Sequence, residues 1–338
     1  MKISSAIGLD IGSYSVKCVE VANRGGAIEL QRVSILPVGD SNPATLKKLL
    51  NVLFDPYLGK PPKVSISVSS GSSLLIRRIS LPAMTAAELK GAVVYEAEGH
   101  IPFPVDQCQL DFQILDKSAD GKKMNVLLVA AKKDFIQERL KLLSAVGIVP
   151  ETIDVDMFCL VNAFEALGDD GGQRVYGLLN VGHRMTSFAI IQEKQPFFVR
   201  EISLGGLEIT KVLAESQSTS EEQADQLKIE HSTDHTELLK TATRKGFEAL
   251  TEELRHSIDY FENETGEELK QIWMSGGGAL AQDAPAIFSE ELGKEVLFWN
   301  NLKKIDTLGN IDQKYLSEHS FELNVALGMV FRGLEPKQ

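Results

Sequence analysis

Cysteine is scarce in this 338-residue sequence, and long apolar runs are absent from it. The three cysteines, Cys18, Cys108 and Cys159, are far apart and set among apolar neighbours, so they predict neither a disulfide framework nor a zinc site. No run of about 18 apolar residues, the length of a membrane-spanning helix, occurs, and residues 1–12 lack the basic head and apolar stretch of a secretory signal. We therefore expect a cytoplasmic protein that associates with a membrane only through partners.

Positive charge is also in short supply. The formal net charge is −12, which argues against a general nucleic-acid binder because phosphate contacts need a concentrated basic surface. Hydrophobic residues make up 43% and charged residues 24% of the chain, which is the balance of a folded globular protein. The length exceeds one typical domain, so the sequence predicts two lobes or one large two-part fold.

The first part of the chain predicts strands around one helix. Residues 6–22 have the pattern of a strand, a tight glycine turn and a second strand. Two further strand-like segments, IELQRVSILPV and KVSISVSS, are separated by a helical stretch that begins at Ser41 or Asn42.

A change of pattern predicts an inserted α/β subdomain over residues 81–150. Its first helix has Thr85 as N-cap and Glu88 three residues later, which together form a capping box. Two strands follow, QCQLDFQIL and MNVLLVAAK, and a second helix is closed by Gly147. The expected order is therefore helix, two strands and helix.

The second half echoes the opening, which indicates an internal duplication. Residues 176–204 again predict a strand, a glycine turn, a strand, a hairpin turn and a strand. Residues 216–269 have helical periodicity, broken near HSTDHTE, and a buried strand then leads into three consecutive glycines.

Three glycine turns carry the predicted chemistry. At Asp10–Lys17, glycine and small hydroxyl residues at a hairpin tip would let backbone N–H groups approach a phosphate, with the lysine supplying positive charge. The aspartate could hold a magnesium ion through water. The turn at Asn180–Thr186 repeats the design, and Ser275–Gly278 would let a flat base or ribose lie against bare backbone. Each pattern taken alone is also compatible with an ordinary polar turn.

Taken in order, these turns resemble the phosphate and adenosine loops of the actin, Hsp70 and sugar kinase superfamily. The finer resemblance is to the type IV pilus assembly protein PilM family, and it covers nearly the whole chain. It rests on GLDIGSYSVKCVEV at the start, on VVYEAEGHIPFPVDQCQLDFQIL and VLLVAAKKDFIQERLKLLSAVGIVPETIDVDMFCL in the insert, and on FVREISLGGLEITKVLA, LRHSIDYFENETG, MSGGGAL and NVALGMVFRGL further along. Sugar kinases and Hsp70 proteins do not carry this insert.

The resemblance implies an α/β, actin-like fold of two lobes, with duplicated ribonuclease-H-like subdomains and an inserted small α/β subdomain that binds a peptide. The implied divisions are residues 1–80, 151–172 and 320–338 for the first lobe, 81–150 for the insert, 173–204 and 270–319 for the second lobe, and 205–269 for a helical nucleotide-binding subdomain.

The resemblance also implies a site for ATP and Mg²⁺. Asp10 would lie on the magnesium side, and the other site residues would contact the nucleotide. These are Gly12, Ser13, Tyr14, Ser15 and Lys17 in the first turn, Gly182 and Thr186 in the second, Gly205 and Gly206 beside the phosphates, Asp225 and Lys228 near the ribose and base, and Gly276, Gly277 and Gly278 at the adenosine pocket.

One departure from the family pattern concerns hydrolysis. The family usually has aspartate where this chain has Asn180, and an amide cannot act as a carboxylate toward a metal or a water molecule. No general base can be assigned from the sequence. We therefore predict no catalytic residue and expect at most slow ATPase activity.

Two other groups of residues could have either a functional role or a purely structural one. His231 and His235, with Asp234 between them, have the spacing of metal ligands on a helix, but the surrounding serine and threonine favour a surface loop. The apolar segment Ile101–Pro104 is either a contact patch or a locally packed loop.

The implied function is that of a cytosolic ATP-binding adaptor of the type IV pilus machinery, acting in pilus assembly and twitching motility. In the family, the insert and a neighbouring lobe form a groove for the cytosolic N-terminal peptide of the inner-membrane protein PilN, which would bind in extended form. Cytosolic pilus motor components are further candidate partners, and the expected location is the cytosolic face of the inner membrane.

Three alternatives stay open at this point. A cell-division protein similar to FtsA would end in a membrane-binding amphipathic helix, which we do not expect here because the sequence stops at GLEPKQ, directly after its last apolar segment. A small-molecule kinase of the same superfamily would need a general base and a substrate pocket. The cytosolic domain of a related type II secretion component would usually be joined to a membrane span.

Overall fold

The computed structural model describes residues 4–24, 27–39, 42–57, 63–118, 120–168, 171–230, 235–299, 302, 305–307 and 311–334. The strands are Ser4–Ile11 (β1), Ser15–Arg24 (β2), Ala27–Pro37 (β3), Lys63–Val68 (β4), Leu74–Pro82 (β5), Cys108–Lys117 (β6), Lys123–Lys132 (β7), Thr152–Val155 (β8), Val175–Val181 (β9), Thr186–Gln192 (β10), Gln195–Ile202 (β11), Gln271–Ser275 (β12), Glu295–Phe298 (β13) and Asp306–Thr307 (β14). The α-helices are Pro43–Phe54 (α1), Ala86–Glu98 (α2), Lys133–Ser144 (α3), Asp156–Leu167 (α4), Gly206–Gln217 (α5), Glu221–Glu230 (α6), Thr236–Gly246 (α7), Glu248–Thr265 (α8), Ala284–Leu292 (α9), Gln313–His319 (α10) and Asn324–Leu334 (α11).

Two sheets with the same strand pattern form the centres of two lobes. The first has the order β14-β3-β2-β1-β4-β8, and the second has the order β11-β10-β9-β12-β13. Each sheet contains three antiparallel strands joined by hairpins, β1-β2-β3 or β9-β10-β11. Two parallel strands continue the sheet beside β1 and β9: β4 and β8 in the first sheet, and β12 and β13 in the second. The internal duplication predicted from the sequence is therefore confirmed.

Close backbone approach ties α11 to the first sheet and to α4. A Cβ atom placed on Gly8 of β1 would lie 1.9 Å from the Ala326 carbonyl oxygen, and one placed on Gly328 would lie 1.7 Å from the Cys159 carbonyl oxygen. No larger side chain fits at either position without moving backbone. The apolar core around these two helices draws residues from both sheets, among them Leu178 and Ala189, so the helices join the lobes.

A third, smaller sheet forms the insert, which we define as β5, β6 and β7 together with α2. The strand order is β5-β7-β6, all antiparallel. Its core packs Leu89 and Val93 of α2 against Val126 and Leu128 of β7. Thr85 and Glu88 form the predicted capping box at the start of α2.

The structure differs from the predicted insert at both ends. The sheet begins at Leu74, before the expected boundary at residue 81, and β5 was not predicted because two consecutive arginines interrupt its alternation. At the other end, Leu143 of α3 lies in the core of the first sheet with Leu9 and Leu50, so this helix leaves the insert. Similarly, β14 pairs with β3 of the first sheet, although residues 270–319 were expected in the second lobe.

Helix α1 was predicted, and the helical periodicity predicted for residues 216–269 corresponds to α6, α7 and α8. Of the two predicted caps for α1, the structure uses Asn42, whose side-chain oxygen accepts from the Thr45 backbone N–H at 2.9 Å. Four helices, α5 to α8, fill the segment between β11 and β12. His231 and Asp234 of the weighed metal site lie outside the described residues. None of the described helices combines the length and apolarity needed to cross a bilayer.

Candidate functional site

The first hairpin, β1 and β2, turns at Gly12 with a lysine beneath its tip. The Gly12 backbone N–H donates to the Ser15 carbonyl at 3.1 Å. A Cβ at Gly12 would lie 3.0 Å from that oxygen and 3.5 Å from the Lys17 Nζ. Ser13 and Tyr14 occupy the tip, and Ser15 is buried. A bare backbone turn above an ammonium group has the character expected of a phosphate site.

Asp10 and Lys17 face each other across this hairpin as an ion pair. Lys17 Nζ lies 3.0 Å from Asp10 Oδ2, with side chains 13% and 12% exposed, and the two residues are direct partners in the strand register. Burial by itself lowers the pKa of Lys17, but the Asp10 carboxylate outweighs it and the pKa is raised. The lysine therefore stays charged beside the glycine turn.

The second hairpin, β9 and β10, repeats this geometry with neutral side chains. The Gly182 N–H donates to the Met185 carbonyl at 2.9 Å, as Gly12 does to Ser15. The strand register pairs Asn180 with Ser187, where the first hairpin pairs Asp10 with Lys17. Asn180 Oδ1 accepts from the Ser275 hydroxyl at 3.3 Å. The second hairpin therefore supplies backbone and amide groups without an ion pair.

Thr186 was predicted to contact phosphate, but its hydroxyl points elsewhere. The residue is fully buried, and its Oγ1 donates to the Leu204 carbonyl at 2.8 Å. This bond fixes the segment that leads into the next glycine pair, so the structure gives Thr186 a supporting position behind the turn.

Three glycine segments far apart in sequence converge behind the second hairpin. A Cβ at Gly205 would lie 2.5 Å from the Gly182 carbonyl oxygen, and one at Gly278 would lie 2.7 Å from that same oxygen. A Cβ at Gly206 would lie 3.4 Å from the Gly278 Cα, and the Gly206 N–H donates to the Gly182 carbonyl at 2.9 Å. Gly276 has a φ of +93°, a conformation that favours glycine. The glycines at positions 182, 205, 206 and 278 therefore lie together in the structure.

Tyr14 connects the first hairpin to the helices of the second lobe. Its hydroxyl donates to Asp225 Oδ2 at 2.9 Å, and its ring centroid lies 5.1 Å from that of His183 at the tip of the second hairpin. Asp225 also pairs with Lys228 at 2.6 Å, and Lys228 Nζ donates to the Gly206 carbonyl at 3.3 Å. These contacts connect five residues, which we call the cleft cluster: Tyr14, His183, Gly206, Asp225 and Lys228.

Two buried carboxylates near the cleft were not predicted. Asp156 begins α4, and burial together with nearby Asp10 raises its pKa to about 7. Glu201 of β11 accepts from the Ser69 and Ser187 hydroxyls at 2.5 and 3.0 Å, and burial is the main reason that its pKa rises to about 8. Asp156 follows a parallel strand, and the rule that sites lie at the carboxyl ends of such strands could have revealed it.

The cleft fits a nucleotide better than it fits a bare metal ion. The turns at Gly12, Gly182 and Gly278 leave backbone exposed to close approach, and Lys17 supplies a cation. Within the described ranges no group of three or more acidic, histidine or cysteine side chains is arranged to hold a metal. Magnesium bound to nucleotide needs few protein ligands, because phosphate oxygens and water supply the rest. Asp10, with Asp156 nearby, would be the protein carboxylate closest to this magnesium ion.

A separate groove runs between the insert and the second lobe. It is a cavity of about 990 Å³ lined by β5, β11 and the end of α8. Both strands are at the edge of their sheets among the described strands. Its apolar lining includes Leu75, Ile79, Phe197, Phe198, Val199 and Tyr260. At the groove, the Arg78 guanidinium stacks 4.5 Å over the Phe197 ring.

The Ile101–Pro104 segment lies elsewhere and is packed locally. Ile101 packs against the insert core, and the Phe103 ring lies 5.3 Å beneath the Lys132 ammonium. Of the two roles considered for this segment, a contact patch or a locally packed loop, these contacts favour the locally packed loop.

Two lobes with a duplicated strand order, glycine turns facing one cleft and an α/β insert define an actin-like protein. The model of the family described as type IV pilus assembly protein PilM matches residues 8–334. The chain belongs to this family.

Solved structures support both the actin-like fold and the family membership. The PilM-PilN type IV pilus biogenesis complex is similar with a TM-score of 0.85 and 27% identity, over 98% of this chain and 99% of that chain. The ethanolamine utilization protein EutJ from Carboxydothermus hydrogenoformans aligns with a TM-score of 0.54 and 13% identity, over 98% and 90% of the two chains. MreB5 of Spiroplasma citri, solved with bound ADP, aligns with a TM-score of 0.51 and 10% identity, over 98% and 94%. The last two similarities concern the fold alone.

Proposed function

We propose that this protein is a cytosolic adaptor of the type IV pilus machinery that docks the N-terminal peptide of a PilN protein and binds ATP with Mg²⁺. The observation that carries the proposal is the match to the PilM-PilN complex over 98% of this chain, together with family membership. The adaptor would stand at the cytosolic face of the inner membrane, recruited there by PilN, and would serve pilus assembly and twitching motility.

The groove between β5 and β11 is the proposed docking site. Two strand edges face one cavity, and an extended peptide can add to such an edge while its alternate side chains enter pockets. Tyr260 is 55% exposed in this groove, and its ring centroid lies 5.9 Å from that of Phe198. Exposed aromatic side chains of this kind are frequent anchors of binding energy.

Titration of the full chain with a synthetic PilN N-terminal peptide from the same organism tests the docking proposal. The wild-type protein should bind with micromolar affinity, and Tyr260→Ala should weaken binding about tenfold, the loss expected for a truncated anchor. Tyr95→Ala is the matched control, because Tyr95 is 76% exposed on α2 and does not line the groove. Absence of binding by the wild-type protein would refute the adaptor role.

The proposed nucleotide site is the cleft cluster with the first hairpin. Lys17 and the Gly12 turn would bind phosphates, and the bare backbone at Gly277 and Gly278 would receive the adenosine end. Asp156 is a buried carboxylate with a pKa of about 7, in the range suited to a proton acceptor at neutral pH. ATP hydrolysis is expected to be slow because Asn180 stands where the family usually has aspartate. We propose that Asp156 supports this slow hydrolysis.

Nucleotide state would act on the groove through lobe closure. Tyr14 connects the first lobe to Asp225 in the second, and β11 of the second lobe forms one wall of the groove. A hinge motion that changes the distance between the lobes therefore changes the groove width. Peptide titrations with and without Mg-ATP test this coupling, and equal affinities would contradict it.

A further inference from the structure

The short 3-10 helix Ser320–Glu322 lies against the glycine triplet of the cleft. The Gly276 N–H donates to the Phe321 carbonyl at 2.8 Å. A Cβ at Gly277 would lie 3.3 Å from Glu322 Oε2. The bare backbone at Gly277 and the Glu322 carboxylate therefore lie side by side, although they are far apart in the sequence.

Glu322 is held in place and directed toward the cleft. Its Oε1 lies 2.9 Å from His319 Nδ1, and its side chain is only 14% exposed. The negative charge of Glu322 contributes to the raised pKa of Tyr14 and of Lys17, both on the first hairpin. The carboxylate thus lies beside the glycine triplet and near enough to the first hairpin to influence its ionisable groups.

Glu322 differs from Asp10 and Asp225 in the cleft, because each of those two carboxylates is paired with a lysine. Asp10 is paired with Lys17. The two oxygens of Asp225 are occupied by Lys228, Thr210 and Tyr14. Within the described ranges, Glu322 Oε2 has no hydrogen-bond donor, since the one contact of its carboxylate is made through Oε1.

The chemistry of the carboxylate selects what it can bind. An ionised carboxylate only accepts hydrogen bonds, and it repels the oxygens of a phosphate. Lys17 marks the phosphate end of the proposed nucleotide, and Gly277 marks the base end. The ribose lies between the phosphates and the base in any nucleotide, and Glu322 both adjoins Gly277 and acts electrostatically on Lys17.

We propose, resting on the nucleotide binding proposed above, that Glu322 accepts a hydrogen bond from a ribose hydroxyl of the bound nucleotide and thereby selects ribonucleotides over deoxyribonucleotides. The site residue is a specificity determinant and takes no part in phosphate chemistry. His319 is its positioning residue, because it fixes the orientation of Oε1 and leaves Oε2 for the ligand.

Calorimetric titration of the full chain with Mg-ATP, Mg-2′-deoxyATP, Mg-3′-deoxyATP and Mg-ITP tests this assignment. The wild-type protein should bind at least one deoxy analogue about tenfold more weakly than ATP, the effect of a hydrogen bond to a charged acceptor. Glu322→Ala should bind ATP and that analogue equally, and Glu322→Gln, which keeps an acceptor without the charge, should discriminate less than the wild-type protein. Glu318→Ala is the control, because its carboxylate is 57% exposed on α10.

Each other outcome has a defined meaning. ATP binding without ribose discrimination in the wild-type protein, or discrimination that survives in Glu322→Ala, would overturn the inference and leave the nucleotide proposal standing. A gain in affinity for all four ligands in Glu322→Ala would assign the residue to charge repulsion instead. Loss of discrimination against ITP alone would assign it to the base. Failure of the wild-type protein to bind ATP would refute the proposed nucleotide function and this inference with it.

Discussion

At the scale of single residues, the buried Asp10–Lys17 pair serves both stability and binding. Both side chains of this ion pair are largely buried. Removing one of them is costly, because the remaining charge is left without a partner. Charge at the candidate site and charge balance in the first sheet therefore depend on the same two side chains.

Lys17→Ala should weaken ATP binding about tenfold or more and lower the free energy of unfolding by about 3 kcal/mol, since it leaves Asp10 buried and unpaired. The double variant Asp10→Asn, Lys17→Ala should recover most of the stability but not the affinity. Calorimetry and denaturant unfolding measure the two effects, with Lys314→Ala as an exposed control. Unchanged ATP affinity in Lys17→Ala would remove the phosphate role.

Glu201 makes the stability of the protein depend on pH. Its pKa is raised from 4.5 to about 8, first by burial and then by the Asp156 charge. The folded state therefore holds a proton that the unfolded state has released, so stability falls as pH rises from the ordinary value to about 8 and is constant above it. The slope is at most about 1.4 kcal/mol per pH unit.

Glu201→Gln carries no charge at any pH and should remove this slope. The Tm of the variant minus that of the wild-type protein should be small near pH 5, should grow up to about pH 8 and should then level off. Thermal unfolding across this pH range measures it, and Glu252→Gln, an exposed position on α8, should follow the wild-type protein. A Tm difference independent of pH would contradict the assignment of a raised pKa to Glu201.

The sequence predicted the cleft residues whose residue type is itself the signal, such as glycine in a tight turn. It missed the residues whose pKa is shifted by burial. Gly12 and Gly182 could be found because tight turns and close approach restrict the residue type. Asp156 and Glu201 look like ordinary acidic residues in the sequence, since their raised pKa values arise from neighbours that only the fold brings near. Thr186 shows a contact that the sequence did not reveal, because the family resemblance placed this residue near phosphate and its hydroxyl donates to the Leu204 carbonyl.

At the scale of elements, the turn between β10 and β11 holds two residues in left-handed backbone. Glu193 has a φ of 51° and Lys194 a φ of 65°, the arrangement of a two-residue hairpin turn that favours Asn-Gly. Neither residue is glycine or asparagine, so this hairpin, which supports one wall of the proposed groove, carries local strain.

Lys194→Gly should therefore raise the free energy of unfolding by about 1 kcal/mol, because glycine adopts the left-handed conformation without the Cβ penalty. Lys122→Gly is a matched control in the β6–β7 turn, where the residue with positive φ is already Gly121. The control should be neutral or destabilising. Denaturant unfolding of both variants measures the difference, and destabilisation by Lys194→Gly would contradict the strain.

Element prediction succeeded where a local signal was complete. The capping box of Thr85 and Glu88 identified the start of α2 because the reciprocal bonds need only four consecutive residues. Strand β5 was missed because Arg77 and Arg78 break its alternation, and its partner β7 lies some fifty residues further on. Helix α3 was assigned to the insert by proximity in sequence, whereas its Leu143 packs in the first sheet.

At the scale of the whole molecule, two of the connections between the lobes differ in character. On one side, α4 and α11 share an apolar core with both sheets. On the other side, the connection at the cleft is polar and small, and it centres on Tyr14, which is 39% exposed. A large apolar joint opposite a small polar one is the arrangement expected of a hinge and its latch.

Tyr14→Phe should loosen the latch without removing it. The ring can still pack near His183, but the hydrogen bond to Asp225 Oδ2 at 2.9 Å is lost, a change worth about 1 kcal/mol in stability. We expect a larger radius of gyration for the nucleotide-free variant in small-angle X-ray scattering, and a smaller difference once Mg-ATP is bound, because the nucleotide would bridge the lobes itself. Tyr95→Phe, on the exposed face of α2, is the control.

The same variant decides whether closure of the cleft sets the groove. If the latch positions β11 relative to β5, Tyr14→Phe should change the affinity for the PilN peptide in the absence of nucleotide and should approach the wild-type affinity with Mg-ATP. A variant with an unchanged radius of gyration and unchanged peptide affinity would show that the apolar joint alone holds the lobes. The cleft and the groove would then be independent sites, and the adaptor would bind its peptide regardless of nucleotide.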